Sequence, residues 1–363
     1  MGAQRIYGCF IVAFLMKILI DDKIPYIREA VGRMAEEVVF LPGKSFTPEL
    51  VRDADALIVR TRTRCNRELL EGSSVRLIVT ATIGYDHIDT EYCRQAGITW
   101  SNAAGCNSSS VAQYVQSSLL LLERMRGTPL KKLTIGIVGV GNVGSKVAAV
   151  ARKAGMRVLT NDLPRQEKEG KDGFTDVAAM AEECDIITFH TPLYMEGRYK
   201  TYHLANEAFF RSLRRRPVII NTSRGEVVDT EALLGALDSG AVSGAVIDVW
   251  EGEPDIDRKL LAKAMVATPH IAGYSADGKA NATRMSLETI SRYSGISASF
   301  EITPPTPENT VIYAKSYEEA LLKIYNPQTD SEALKANPDD FERLRENYPL
   351  RREEVGYKIV IER

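Results

Sequence analysis

LTIGIVGVGNVGSKVAAVARKAG, residues Leu133 to Gly155, reads as a strand, a glycine turn and a helix. The run IGIV has no polar face, as expected of a strand covered on both sides in a parallel sheet. Gly139, Gly141 and Gly144 then fall in the pattern G-x-G-x-x-G, with Asn142 and Val143 between the last two. Glycines so spaced permit a tight turn, close approach of the backbone to a pyrophosphate, and close packing of helix on strand. The helix N-terminus adds unbonded N–H groups and the positive end of a dipole. The next apolar run, RVLTN, is followed by Asp162, 18 residues after Gly144. A carboxylate there is suited to bond ribose hydroxyls and to repel a 2′-phosphate. The stretch therefore reads as a dinucleotide site that favours NAD over NADP, with Arg165 nearby as a contrary charge.

Outward from this unit the same alternation continues. DIITFHT, PVIINTS, SGAVIDV and MVATPH are further strands. Upstream, KILI, VVFL, DALIVR, RLIVTA and ITWSN alternate with the amphipathic stretches IPYIREAVGRMAEE, TPELVRDA, NRELLEG and DTEYCRQAG. Alternation of this kind predicts α/β architecture, with parallel sheets joined by right-handed crossovers. Long helices at about 107–126 and 275–293 bracket the second set. That arrangement predicts a nucleotide domain at 111–275 inserted into a discontinuous substrate domain, 16–110 and 276–294. Past Gly295 the pattern changes to the Pro-rich ITPPTPENT, charged helical segments (SYEEALLKIYN, PDDFERLRENY) and a last strand, GYKIVIER. Residues 295–363 would bury little core alone, so they read as a module packed on the body or on a second subunit.

Composition narrows the class. The 363 residues, 44% of them apolar, suffice for two or three cored domains. A net charge of −2 with no basic block argues against nucleic acid. Five cysteines without C-x-x-C spacing read as reduced, buried thiols of a cytoplasmic protein, with neither a disulfide framework nor a metal site. The apolar run from Ile6 to Leu15 is too short for the roughly 20 residues of a membrane span. It has the length of a signal-peptide core, but no small-x-small site follows. Residues 1–15 are read as an upstream extension before a natural start at Met16.

Ligands of open α/β sheets gather at the carboxyl ends of strands. Here those ends carry Asp162, Thr191, Arg224, Asp248 and His270. Arg224, in NTSRGEVVD, presents a planar fork for a substrate carboxylate. His270, in TPHIAGY, is one of four histidines and sits where a general base is wanted. His190 lies inside an apolar strand and reads as structural. Glu253, in DVWEGEP, would hold the His270 ring and raise its pKa by stabilising the imidazolium. Asp248 suits either a nicotinamide carboxamide or a strand-end cap. Arg60, Arg62 and Arg64 alternate at the end of a first-domain strand. Continued extended geometry would set them on one side, as a phosphate site or as a solvated basic edge. Arg351 and Arg352 would add charge from a partner subunit.

With these motifs in order, residues Met16 to Tyr293 resemble the D-isomer-specific 2-hydroxyacid dehydrogenases. The resemblance implies two doubly wound parallel-sheet domains: a flavodoxin-like substrate domain and a Rossmann NAD domain. It also implies catalysis by Arg224, Glu253 and His270, with hydride passing from a hydroxy acid to NAD. NAD contacts are implied from Asp162, Thr191, Thr222, Ser223, Arg224, Asp248 and Gly273, and substrate contacts from Thr61, Thr82 and Tyr274. Three segments, VRTRTRCN, PHIAGYSADGKANAT and the tail from YNPQTDSEALKANP onward, point to a branch of the family acting on a 4-phosphorylated acid. In that branch the C-terminal α+β module dimerises the enzyme. Other acids of the family, such as 3-phosphoglycerate, glycerate or lactate, and an NAD-sensing corepressor role stand as alternatives.

Overall fold

Five of the apolar runs form one sheet: β1 (Lys17–Asp21), β2 (Glu37–Leu41), β3 (Ala56–Val59), β4 (Leu77–Thr80) and β5 (Thr99–Asn102). All neighbours are parallel, in the order β2-β1-β3-β4-β5, the flavodoxin-like winding. β1, β3 and β4 lack a polar face because both faces are covered. Leu19, Leu57 and Ile78 pack with Val51, Leu70 and Tyr92 on one side. Ile18, Ile20 and Ile58 pack with Ile27, Leu287 and Ile290 on the other. Short helical turns join the strands, each stopped and started locally. Asn66 Oδ1 accepts from Leu69 N and Asp89 Oδ1 from Tyr92 N, satisfying otherwise orphaned N–H groups.

The chain divides into two compact units, residues to Cys106 with Lys279–Pro304, and Asn107–Gly278 with Pro305–Arg363. This computed structural model describes residues 16–31, 35, 37–296 and 298–362. The extension expected at 1–15 lies outside the described residues. None of the helices among the described residues is long and apolar enough to cross a membrane.

The second unit holds β6 (Thr134–Val138), β7 (Arg157–Asn161), β8 (Ile186–Phe189), β9 (Val218–Asn221), β10 (Gly244–Ile247) and β11 (Val266–Ala267). They form a six-stranded parallel sheet in the order β11-β10-β9-β8-β6-β7. A full Rossmann half would place another strand outside β7. Here Gly173 to Thr175 passes that edge instead, with Thr175 N donating to Thr160 O at 2.7 Å and Asn161 Nδ2 to Thr175 O at 2.8 Å. The winding reverses between β6 and β8, so the crevice for a ligand opens beyond their carboxyl ends.

The tail belongs to this second unit. β12 (Val311–Ala314) pairs in parallel with β13 (Lys358–Ile361), and helices span Tyr317–Ile324, Pro327–Ala336 and Phe341–Glu346. β12 and the Pro327 helix are additions to the sequence expectation. β12, VIYA, is a short apolar run, but it is only four residues long, only partly covered, and follows the Pro-rich stretch that reads as a connection. The Pro327 helix carried a legible start, Asn326 as cap and Pro at the first position. Leu334 and Phe341 complete one face of the nucleotide sheet, and Leu321, Leu322 and Tyr325 the other. The tail thus obtains from the body the core that it lacks alone.

Candidate active site

The glycine turn sits at the β6 end of the crevice, and its geometry shows why each glycine is there. A Cβ on Gly144 would lie 1.9 Å from Gly139 O, and one on Gly139, at φ +86°, would lie 2.8 Å from the His190 carbonyl. A Cβ on Gly141 would meet nothing within 4 Å, so that corner faces open space. The Asn142–Lys153 helix begins there, with N–H groups free for an anion. Asp162 Oδ2 accepts from Val140 N at 2.8 Å and Oδ1 from Arg165 N at 3.1 Å. The carboxylate is thereby pinned beside the turn. Arg165 is largely neutralised by a two-point pairing with Glu169, at 2.8 and 2.7 Å. Alongside lies a cavity of about 260 Å³ lined by Val140, Arg152, Thr160, Arg165 and Phe174. At the end of β8, Thr191 Oγ1 is buried without a hydrogen-bond partner. A buried hydroxyl so placed calls for a ligand atom, and the set fits a dinucleotide.

β9 and its loop position the arginine. Asn221 Oδ1 accepts from both Ser223 N and Ser223 Oγ, while Asn221 Nδ2 donates to Arg224 O. Arg224 is half-buried, with Nη1 donating to Ser223 O at 2.8 Å. A Cβ on Gly225 would fall 2.0 Å from the Trp250 carbonyl carbon, so only glycine lets the two loops cross. Thr222 Oγ1 meets His190 Nδ1 at 3.1 Å, and His190 Nε2 meets Thr188 Oγ1 at 2.9 Å. Burial pushes His190 down to about 3. It is a neutral strut between β8 and the arginine loop, as its apolar strand implied.

The histidine and glutamate meet. His270 Nδ1 lies 2.8 Å from Glu253 Oε2, and Glu253 Oε1 accepts from Trp250 N at 2.9 Å. Burial works to raise the Glu253 pKa, but its bond to His270, the charge there and the Trp250 N–H outweigh it and hold the group below its ordinary value. An ionised carboxylate can only accept, so Nδ1 carries the proton and Nε2 is left as the acceptor. The ring is 33% exposed and Glu253 21%, so the base faces outward while its support is covered. His270 takes a left-handed backbone, φ +56°. Asp248 makes that possible: its Oδ1 accepts from Ile271 N and Thr268 Oγ1, and its Oδ2 from Ala272 N. Of the two roles open to Asp248, the cap is the one its bonds display. Burial raises its pKa, opposed by His270 and by these donors. Gly273 lies so close to Asn107 that a Cβ would be 2.0 Å from Asn107 Nδ2. Tyr274 packs edge-on to Tyr348 at 5.9 Å.

The first unit carries the remaining named groups. Thr82 Oγ1 donates to Gly84 O at 2.8 Å and lies 2.6 Å from Thr80 Oγ1, which also meets His87 Nε2. Thr61 is exposed. The three arginines do not share one side: a turn begins at Thr61, which ends the extended geometry. Arg60 Nη1 donates to Lys23 O at 3.0 Å. Arg62 and Arg64 instead line a cavity of about 270 Å³ with Lys44, Gly43 and Asn66. Thr63 Oγ1, bonded to Gly43 O at 2.8 Å, closes its floor. Lys44 was not singled out in the sequence; its only cue is the PGKS turn after β2.

Arg351 and Arg352 are corrected outright. Both are buried within this chain, at 5% and 9% exposure. Arg352 pairs with Asp277 at 2.9 and 3.0 Å. Arg351 donates to backbone carbonyls beside the His270 loop. The expectation that they face a partner subunit fails: adjacent arginines ordinarily sit in water, and here the tail folds both against its own unit. Cys65, Cys93 and Cys184 are free and buried, and Cys106 is buried as well. Burial lifts Cys65 and Cys184 to about 12, which makes them poor nucleophiles. Among the described residues no group of acidic, His and Cys side chains could hold a metal.

Residues 107–272 match the family model of the D-isomer specific 2-hydroxyacid dehydrogenase NAD binding domain. The chain is 67% identical over 345 residues to an erythronate-4-phosphate dehydrogenase of Bacteroides thetaiotaomicron, covering 95% of this chain and 99% of that one. It is 45% identical to the enzyme of that name from Porphyromonas gingivalis, covering 95% of each. Among solved structures it resembles D-lactate dehydrogenase of Aquifex aeolicus complexed with NAD and lactic acid. That match has a TM-score of 0.63 at 25% identity and covers 80% of this chain and 100% of that one. An NAD+-bound 3-phosphoglycerate dehydrogenase of Entamoeba histolytica matches with a TM-score of 0.64 at 25% identity, covering 79% and 98%.

Proposed function

Because this chain belongs to the D-isomer-specific 2-hydroxyacid dehydrogenases, we propose that it oxidises 4-phospho-D-erythronate at C2. The product is (R)-3-hydroxy-2-oxo-4-phosphooxybutanoate, on the route to pyridoxal 5′-phosphate. The observation that carries the chemistry is the His270–Glu253 pair at 2.8 Å; the 67% identity carries the substrate. NAD, when bound, takes the hydride from C2. The Gly139–Gly144 turn, Asp162, Thr191 and the Thr222–Arg224 loop would hold it. Arg224 binds the substrate carboxylate through its fork and draws electron density from C2 as the carbonyl forms. His270 Nε2 takes the C2 hydroxyl proton, and Glu253 stabilises the positive charge that the ring gains.

The reading extends to the substrate's other end. Arg62, Arg64 and Lys44 around their cavity suit a phosphate, with Thr61, Thr82 and Tyr274 as hydroxyl contacts; Arg60, bonded to Lys23 O instead, is left out of that set. We assign residues 295–363 to homodimer formation and the protein to the cytoplasm. β12 and β13 support the first assignment, since Tyr313 and Ile361 remain 56% and 47% exposed on them.

An NADH-forming assay across 4-phospho-D-erythronate, 3-phosphoglycerate, D-glycerate and D-lactate tests the proposal. The phosphorylated four-carbon acid is expected to give the highest kcat/KM. Preference for an unphosphorylated acid would overturn the substrate, and no turnover with any of them would favour an NAD-sensing role.

A further inference from the structure

Buried arginines normally answer a carboxylate. Arg352 does so, through Asp277. Arg351, its neighbour, feels the charge of Asp330, which the Tyr325 and Tyr348 hydroxyls hold, but among the described residues it donates to no carboxylate. Its guanidinium lies 4.2 Å over the Tyr325 ring. Nη1 reaches Ile271 O at 3.2 Å, and Nη2 reaches Ala272 O at 2.5 Å and the Ser110 hydroxyl. Ser110 Oγ also donates to Ala272 O at 2.8 Å and accepts from Ser275 N at 3.1 Å. Ile271 and Ala272 are the two residues that follow His270.

These bonds complete a clamp. Asp248 takes the N–H groups of Ile271 and Ala272, while Arg351 and Ser110 take their carbonyls. The clamp holds the segment just after a left-handed His270, a conformation that a non-glycine residue keeps only when its surroundings impose it. The ring's direction follows from that backbone. We propose that Arg351, carried by the C-terminal tail, is a positioning residue for His270, and that the tail is thereby part of this chain's own catalytic apparatus.

The inference rests on His270 as the base, so His270→Ala is measured in parallel. Arg351→Met removes the donors and keeps an apolar stem; Ser110→Ala removes the shared hydroxyl and is the milder change. On whichever acid turns over, Arg351→Met is expected to lower kcat by about 10- to 100-fold, the scale of small misplacements of a reacting group. KM for the acid and the NAD dissociation constant are expected to stay within about three-fold. Arg351→Lys is expected to recover part of the loss. Added to His270→Ala, Arg351→Met is expected to cost nothing further, because both act through one group. Normal kcat in both Arg351→Met and Ser110→Ala would overturn the proposal. So would losses that multiply on the His270→Ala background. Should Arg351→Met fail to fold, the Ser110→Ala single and double variants decide by the same criteria. Unchanged turnover in His270→Ala itself would remove the base and the proposal with it.

Discussion

At the scale of single residues, the reaction turns on where protons and charges are held. His270 Nε2 is the acceptor because Glu253 occupies Nδ1. His270→Ala is therefore expected to lower kcat by about 10²–10⁴, with NAD titration by protein fluorescence unchanged. Arg224 is held by its own loop, Nη1 on Ser223 O, which leaves the rest of the fork for the carboxylate we propose it binds. Arg224→Lys keeps the charge and loses the planar two-point geometry. We expect kcat/KM for the hydroxy acid to fall at least about 10-fold in steady-state assays. The placement of these residues was legible here, since polar groups closing apolar strands on one sheet edge stand out, and His270 does meet Glu253. The left-handed turn at His270 was not, because backbone angle depends on the Asp248 bonds, and Asp248 lies 22 positions earlier.

Elements behave differently, because a strand's edge depends on what lies beside it. β11 is two residues long and sits at the end of its sheet. Its outward Ala267 N–H would be orphaned in the core without Ser331 Oγ, 2.9 Å away on the Pro327–Ala336 helix. Ser331 is fully buried. Ser331→Ala leaves that donor without a partner and is expected to destabilise by about 1–3 kcal/mol. Urea titration checks this, and kcat should hold in the folded protein. The helix start at Asn326–Pro327 was readable, but its partner was not. A two-residue strand leaves no periodicity, and the serine that caps it is 64 positions away. The alternation of Arg60, Arg62 and Arg64 failed for a related reason. Period two holds only while the strand lasts, and β3 ends at Val59.

For the whole molecule, the neutral His190, mostly covered at the end of β8, links folding to acid. Its folded pKa is about 3, against an ordinary 6.5. Between those values the unfolded chain binds a proton that the folded protein refuses. Stability therefore falls as pH drops below about 6.5, by about 1.4 kcal/mol per unit from this group, and the loss ends near pH 3. Carboxylates add their own acid dependence, so the variant isolates the term. Thermal unfolding of His190→Gln between pH 7 and 4 should show a shallower decline in Tm than the parent. An equal decline would place the acid sensitivity elsewhere.

What the amino-acid order alone determined was the parallel alternation of both sheets, the dinucleotide turn, and the presence of Arg224, Glu253 and His270 near strand ends. Each is written in short-range pattern: apolar runs of strand length, glycines at fixed spacing, polar residues at strand ends. The tertiary structure alone decided which groups those residues touch. It closed β7's edge with a passing loop, separated Arg60 from Arg62 and Arg64, and moved Arg351 from a supposed partner contact to the back of the His270 loop. Such contacts join positions far apart in the chain, where no local period reaches. They are set by the burial of apolar faces, which brings a tail with little core of its own against the sheet that needs covering.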